Sequence, residues 1–124
     1  MEMTEYQKKL VFIDLCGRLP YHPFVKVWEK DGCTESGELD LGENYENVLR
    51  KFLHGDIVKI KPYLFPQSEI SNLIGAKEFT ALSGYQLIDW YNANHIDYRG
   101  LLKMRLAYKR RKIIIKKNKK HKLK

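Results

Sequence analysis

The sequence predicts an α+β domain: an N-terminal helix, a small antiparallel β-meander, C-terminal helices and a basic tail. Three observations carry that prediction. Thr4-Glu-Tyr-Gln7 matches a capping box, in which a Thr hydroxyl and a Gln side chain satisfy the exposed backbone N–H groups of a helix start. "FVKVWEK" (24–30) alternates apolar and polar residues, and "DIVKIK" (56–61) is rich in β-branched ones, both habits of strands. Near the C-terminal end, Leu87, Trp90 and Tyr91 share one helical face.

The elements follow in order. The first helix is expected over 4–16, carrying Leu10, Val11, Ile13 and Leu15, with Gly17 as its C-cap. "LPYHP" (19–23) breaks it, because two prolines three apart disfavour helix. After the strand at 24–30, Asp31-Gly32 supplies hairpin-turn chemistry and allows a second strand near 33–41. "YENVLRKFL" (45–53) is ambiguous, although Val48, Leu49, Phe52 and Leu53 stand at helical spacing. The strand beginning at 56 is expected to be ended by Pro62 and Pro66. Ser68 or Ser71 caps a short helix through the 70s, weakened by Gly75, and Ser83 caps a stronger one over 84–95.

At 124 residues, 44% hydrophobic and 31% charged, the chain is long enough for one domain with a modest core. No stretch approaches the roughly 18–20 apolar residues of a membrane span, so no membrane partner is expected. The N-terminus lacks a basic leader and has Asp14 inside its apolar run, a poor secretory signal; a cytoplasmic location is the expectation. Cys16 and Cys33 form neither a CxxC pair nor a disulfide framework, and His22 and His54 lie at no zinc-ligand spacing from them. No metal and no cofactor is expected, and both thiols read as structural or inert.

The formal charge of +8 is unevenly placed. Lys109, Arg110, Arg111, Lys112, Lys116, Lys117, Lys119, Lys120, Lys122 and Lys124 fall within the last sixteen residues, which contain no acid. The other 13 of the 23 basic residues stand against all 15 acids, a net of −2. The chain therefore divides into a near-neutral domain over 1–108 and a basic tail over 109–124, whose like charges repel one another. The tail is the candidate nucleic-acid-binding segment, because Lys and Arg displace condensed counterions from phosphates without reading sequence. Arg18, Lys59, Lys61, Arg99, Lys103 and Arg105 are candidates to extend it onto the body, with Tyr63, Phe65 and Tyr98 as rings that stack bases or pack in the core. An anionic membrane surface fits less well, since Ile113–Ile115 offer little anchorage.

One further segment concentrates chemistry-bearing residues: "DWYNANHIDYRG" (89–100) holds Asp89, His95, Asp97 and Arg99. A structural corner accounts for all of them, with Asn94-His95 stopping the helix, a cationic His95 complementing the macrodipole and Asp97 capping the next turn. The competing arrangement makes His95 a general base oriented by Asp97 or Asp89. No nucleophile motif stands elsewhere in the chain to complete such a site, so the protein is not expected to be an enzyme.

"DLCGRLPY" (14–21), "IKPYLFP" (60–66) and "DWYNANHIDYRGLL" (89–102), in this order and spacing, resemble a family of small proteins of gut Bacteroidales and their phages and mobile elements. The similarity covers most of 4–108. It implies a soluble intracellular protein of viral or mobile-element character and brings no reaction and no catalytic residues with it. Such proteins finish soon after a GLA-like segment, whereas here "RLAYKRRKIIIKKNKKHKLK" runs on. The expected function is a non-enzymatic accessory protein whose tail binds nucleic acid non-specifically. The alternative is a protein-interaction module that docks on, and in one form inhibits, a host protein; the tyrosine-rich body suits such an interface.

Overall fold

Helix α1 (Glu5–Arg18) begins at the capping box: the Gln7 N–H donates to the Thr4 hydroxyl at 3.1 Å, and the Thr4 N–H to the Gln7 side chain at 2.9 Å. In the computed structural model, which describes residues 3–110, the helix runs past its expected end. Gly17 is not its cap. It lies in the last turn, where a Cβ would meet the Asn92 side-chain nitrogen at 3.2 Å, so glycine there permits close approach of a later helix. A 3-10 turn, Leu19–Tyr21, then spends the first proline and turns the chain into the sheet.

The sheet has four strands, β1 (Phe24–Glu29), β2 (Thr34–Glu38), β3 (Ile57–Leu64) and β4 (Tyr108–Lys109), in the order β2-β1-β3-β4. Strand β1 is antiparallel to β2, as the hairpin chemistry predicts, and also to β3. With β1 and not β2 in the middle, the three strands are not the expected meander, because the segment between β2 and β3 carries the chain back to β1's other edge. Strand β4 lies parallel to β3, so the sheet is mixed. Nothing in "AYK" announces a strand: β4 is two residues long and exists because the chain returns to β3's free edge. Pro62 does not end β3 but sits buried within it opposite Val25. Strand β4 pairs with β3 only from Tyr63 onward, so the missing proline N–H falls just before that ladder begins.

Helix α2 (Tyr45–His54) resolves the ambiguous segment and buries Val48, Leu49 and Phe52. With Val11 and Leu15 of α1 these pack on the sheet face formed by Val25, Val27, Ile60 and Leu64. The 70s form not one weakened helix but two short ones, α3 (Ile70–Leu73) and α4 (Ala76–Thr80), parted at the poor helix former Gly75. Neither Ser68 nor Ser71 caps them, since the N-cap positions are Glu69 and Gly75 and neither makes a side-chain cap hydrogen bond. Helix α5 (Tyr85–Ala93) follows, with Gly84 at φ 54° as N-cap; Ser83 makes no side-chain cap and contributes its carbonyl to the Gln86 N–H instead. The α+β class thus stands. No helix among the described residues is long and apolar enough to cross a membrane.

Candidate nucleic-acid interface

Asp14 and Arg18 sit one turn apart on α1 and are both fully buried, at 0% side-chain exposure. Arg18 donates to both Asp14 oxygens, at 2.8 and 3.0 Å, and reaches across to the carbonyls of Ile96 at 2.7 Å and Tyr91 at 3.4 Å. Arg99 adds a second cation on Asp14 at 3.1 Å and donates to the Tyr98 hydroxyl, which in turn donates to the Asn92 side chain, both at 3.0 Å. Tyr98 stacks on Tyr91 with ring centroids 5.1 Å apart. The first and third sequence blocks therefore meet in one buried knot. Arg18 and Arg99 belong to it and not to an exposed basic patch.

The other corner residues are committed to structure as well. Asp97 accepts from the Leu101 N–H at 2.8 Å and the Leu102 N–H at 2.9 Å, capping the turn as expected. Asp89 lies on the surface and accepts from the Tyr21 hydroxyl at 2.5 Å, which raises the tyrosine's pKa. The left-handed residue at the end of α5 is His95, at φ 55°; Asn94, at φ −100°, is not. His95 is buried at 8% exposure, and its Nδ1 has no partner among the described residues. Burial first, then the Arg110 and Arg18 charges, hold its pKa down at about 2. It is therefore neutral at pH 7 and does not act as a cationic helix terminus. Asp97 spends both oxygens on backbone N–H groups and Asp89 is engaged elsewhere, so neither orients His95 as a base.

The basic tail is described only at its root. Lys109 is exposed in β4, while Arg110 is buried at 7% exposure beside Phe65, with its guanidinium carbon 5.7 Å from the ring centroid. Arg110 is thus part of the body, and the fold extends past the expected 108/109 boundary. Its pKa is drawn down to about 10, chiefly by burial, so it still carries its charge at neutral pH. Arg111, Lys112, Lys116, Lys117, Lys119, Lys120, Lys122 and Lys124 lie outside the described residues.

A surface that the sequence marked only in part stands on the sheet face turned away from α1 and α2. Strand register puts Lys26 opposite Lys61, Trp28 opposite Lys59, and Tyr63 beside Tyr108. Phe24, Tyr63, Tyr108 and Trp28 form a ring-to-ring strip with successive centroids 5.1, 5.2 and 6.2 Å apart. Lys59 and Lys26 lie 4.2 and 5.1 Å from the Trp28 centroid, and Lys61 lies 5.0 Å from that of Tyr108. None of the three lysines enters an ion pair among the described residues. Partial burial lowers the Lys61 pKa, and the nearby Lys59 and Arg105 charges lower it further. Lys59, Lys61 and Tyr63 were candidates from composition; Lys26, Trp28 and Tyr108 were missed, although period-2 alternation in "FVKVWEK" places Lys26 and Trp28 on one face.

Both cysteines are exposed, contrary to the burial habit of free thiols. Cys33 shares the hairpin turn with Glu29 and Asp31, and Asp31 raises its thiol pKa, which disfavours the nucleophilic thiolate. No protein-family model, curated protein or solved structure matches the chain.

Proposed function

We propose that this chain is a non-enzymatic accessory protein of phage or mobile-element character that binds nucleic acid through its basic tail without reading sequence. What supports the reading is where the tail begins. It departs from β4, the strand whose Tyr108 stands in the Lys26–Lys59–Lys61 face, so the root of the tail adjoins three lysines that enter no ion pair among the described residues. A chain without acids past Lys109 carries no internal competitor for phosphates. The corner residues support the non-enzymatic part of the reading, because Asp97 is occupied by backbone N–H groups, Arg99 by Asp14 and Tyr98, and Asp89 by the Tyr21 hydroxyl.

The test replaces the eight cations from Arg111 to Lys124 by glutamine and measures fluorescence anisotropy of a labelled duplex across a salt series. Loss of most duplex affinity is expected; undiminished affinity overturns the tail reading. A second reading, docking on a host protein, is favoured by exposed Tyr6 and Leu53, which flank an apolar cleft of about 430 Å³ between α1 and α2. Absence of nucleic-acid affinity in the unmodified chain selects that second reading.

A further inference from the structure

The outer sheet face has two properties that a duplex-neutralising tail does not need: flat rings in series, and lysines placed at their margins. We propose that this face is a stacking platform for single-stranded nucleic acid, with Trp28, Tyr108 and Tyr63 taking bases and Lys26, Lys59 and Lys61 taking phosphates. The proposal rests on the nucleic-acid reading above and adds a preference for unpaired strands that resides in the body.

The chemistry of the face selects this occupant. Aromatic rings stack on bases whatever their sequence, because every base has a π-face, and that face is free only when the base is unpaired. A duplex hides its bases inside its own stack and offers this surface phosphates alone. Lys59 and Lys26 lie over Trp28 and Lys61 over Tyr108. Such contacts are weak at accessible sites, and the flexible lysine stem lets the ammonium swing to a phosphate as a base takes the ring. Burial first, and then the Lys59 and Arg105 charges, lower the Lys61 pKa, so Lys61 lies among like charges whose repulsion a polyanion relieves. Thr34 and Ser36 of β2 stand opposite Trp28 and Lys26 and are uncharged, while the acid of that face, Glu38, stands opposite Phe24 at the far end of the strip, so the phosphate path is assigned to the Trp28 end.

The experiment uses the full chain with three probes: a 12-nucleotide oligo(U), a 12-nucleotide oligo(dT), and polyphosphate of equal charge. Tryptophan emission and anisotropy are read for the unmodified protein, Trp28→Leu, the triple Lys26→Gln, Lys59→Gln, Lys61→Gln variant, and the chain with glutamine at the eight tail cations. Either oligonucleotide, but not polyphosphate, is expected to quench emission, and the quenching is lost in Trp28→Leu while the other tryptophan, Trp90, remains. Trp28→Leu is expected to weaken single-strand binding roughly tenfold, in line with loss of one stacked base. The triple variant, which alters only surface side chains, is expected to reduce the log–log salt slope by about 2, at about 0.7 per phosphate contact on a single strand. Both effects persist with the tail neutralised, and the tighter of the two oligonucleotides distinguishes RNA from DNA. Equal binding of oligonucleotide and polyphosphate, with unchanged affinity in Trp28→Leu and loss only on tail neutralisation, overturns the platform and leaves the tail reading standing. No affinity in any chain overturns both.

Discussion

Asp14 is the residue on which most of the knot depends. Its two oxygens receive Arg18 and Arg99, and Arg18 has no exposed surface through which water replaces a lost partner. Asp14→Ala is therefore expected to cost about 3–5 kcal/mol, the range for breaking a buried ion pair and leaving its partner uncompensated; urea denaturation measures it. His95 acts in the opposite sense. Its pKa is about 2 in the folded chain and near 6.5 when unfolded, so between these values the unfolded state binds the extra proton. Stability is expected to fall as pH drops below about 6.5, by up to about 1.4 kcal/mol per pH unit from this group. His95→Asn keeps a residue that tolerates the left-handed backbone and is expected to remove that contribution, seen as a flatter stability profile between pH 7 and pH 5.

Among the elements, the segment after α5 shows how a short stretch without regular structure is held. Ile96 bridges Phe65, the Phe65 N–H donates to the His95 carbonyl at 2.8 Å, and Asp97 caps the two amides that start the turn toward β4. Asp97→Ala leaves a buried Leu101 amide without its acceptor and is expected to cost about 1–3 kcal/mol. The loss is expected first as faster hydrogen exchange at Leu101 and Leu102, and then as a lower Tm. Strand β4 depends on the same turn, because only its return path brings Tyr108 beside Tyr63. The cap and the aromatic face are thereby coupled through an element of two residues.

For the whole molecule, the division of charge decides behaviour in solution. The folded body over 1–110 has 15 basic and 15 acidic residues, and the eight cations from Arg111 onward supply the whole net charge of +8, so any association with polyanions is expected to be long-ranged and strongly salt-dependent. If five to eight phosphates of a duplex are neutralised, the log–log salt slope is roughly −5 to −7, at about −0.9 per contact. Glutamine at the eight tail cations is expected to flatten it to the small residue supplied by Lys26, Lys59, Lys61 and Lys109. The anisotropy series on duplex measures both slopes.

The sequence by itself determined the local features. The capping box starts α1, alternation sets β1, β-branched residues set β3, and Asp97 caps its turn. Each of these is decided by neighbours a few residues apart, where propensity and hydrogen-bond geometry act alone. Asp14 and Arg18 carried a readable signal too, opposite charges one turn apart on the face of Val11 and Leu15, although the apolar setting pointed to no partner for them. Only the tertiary structure decided that Arg99 closes the knot, that Gly17 makes room for Asn92, that His95 is neutral, and that Arg110 is interior. It also decided the parallel β4 and the aromatic–lysine face. Those outcomes depend on desolvation and on contacts between residues tens of positions apart, which no local pattern encodes.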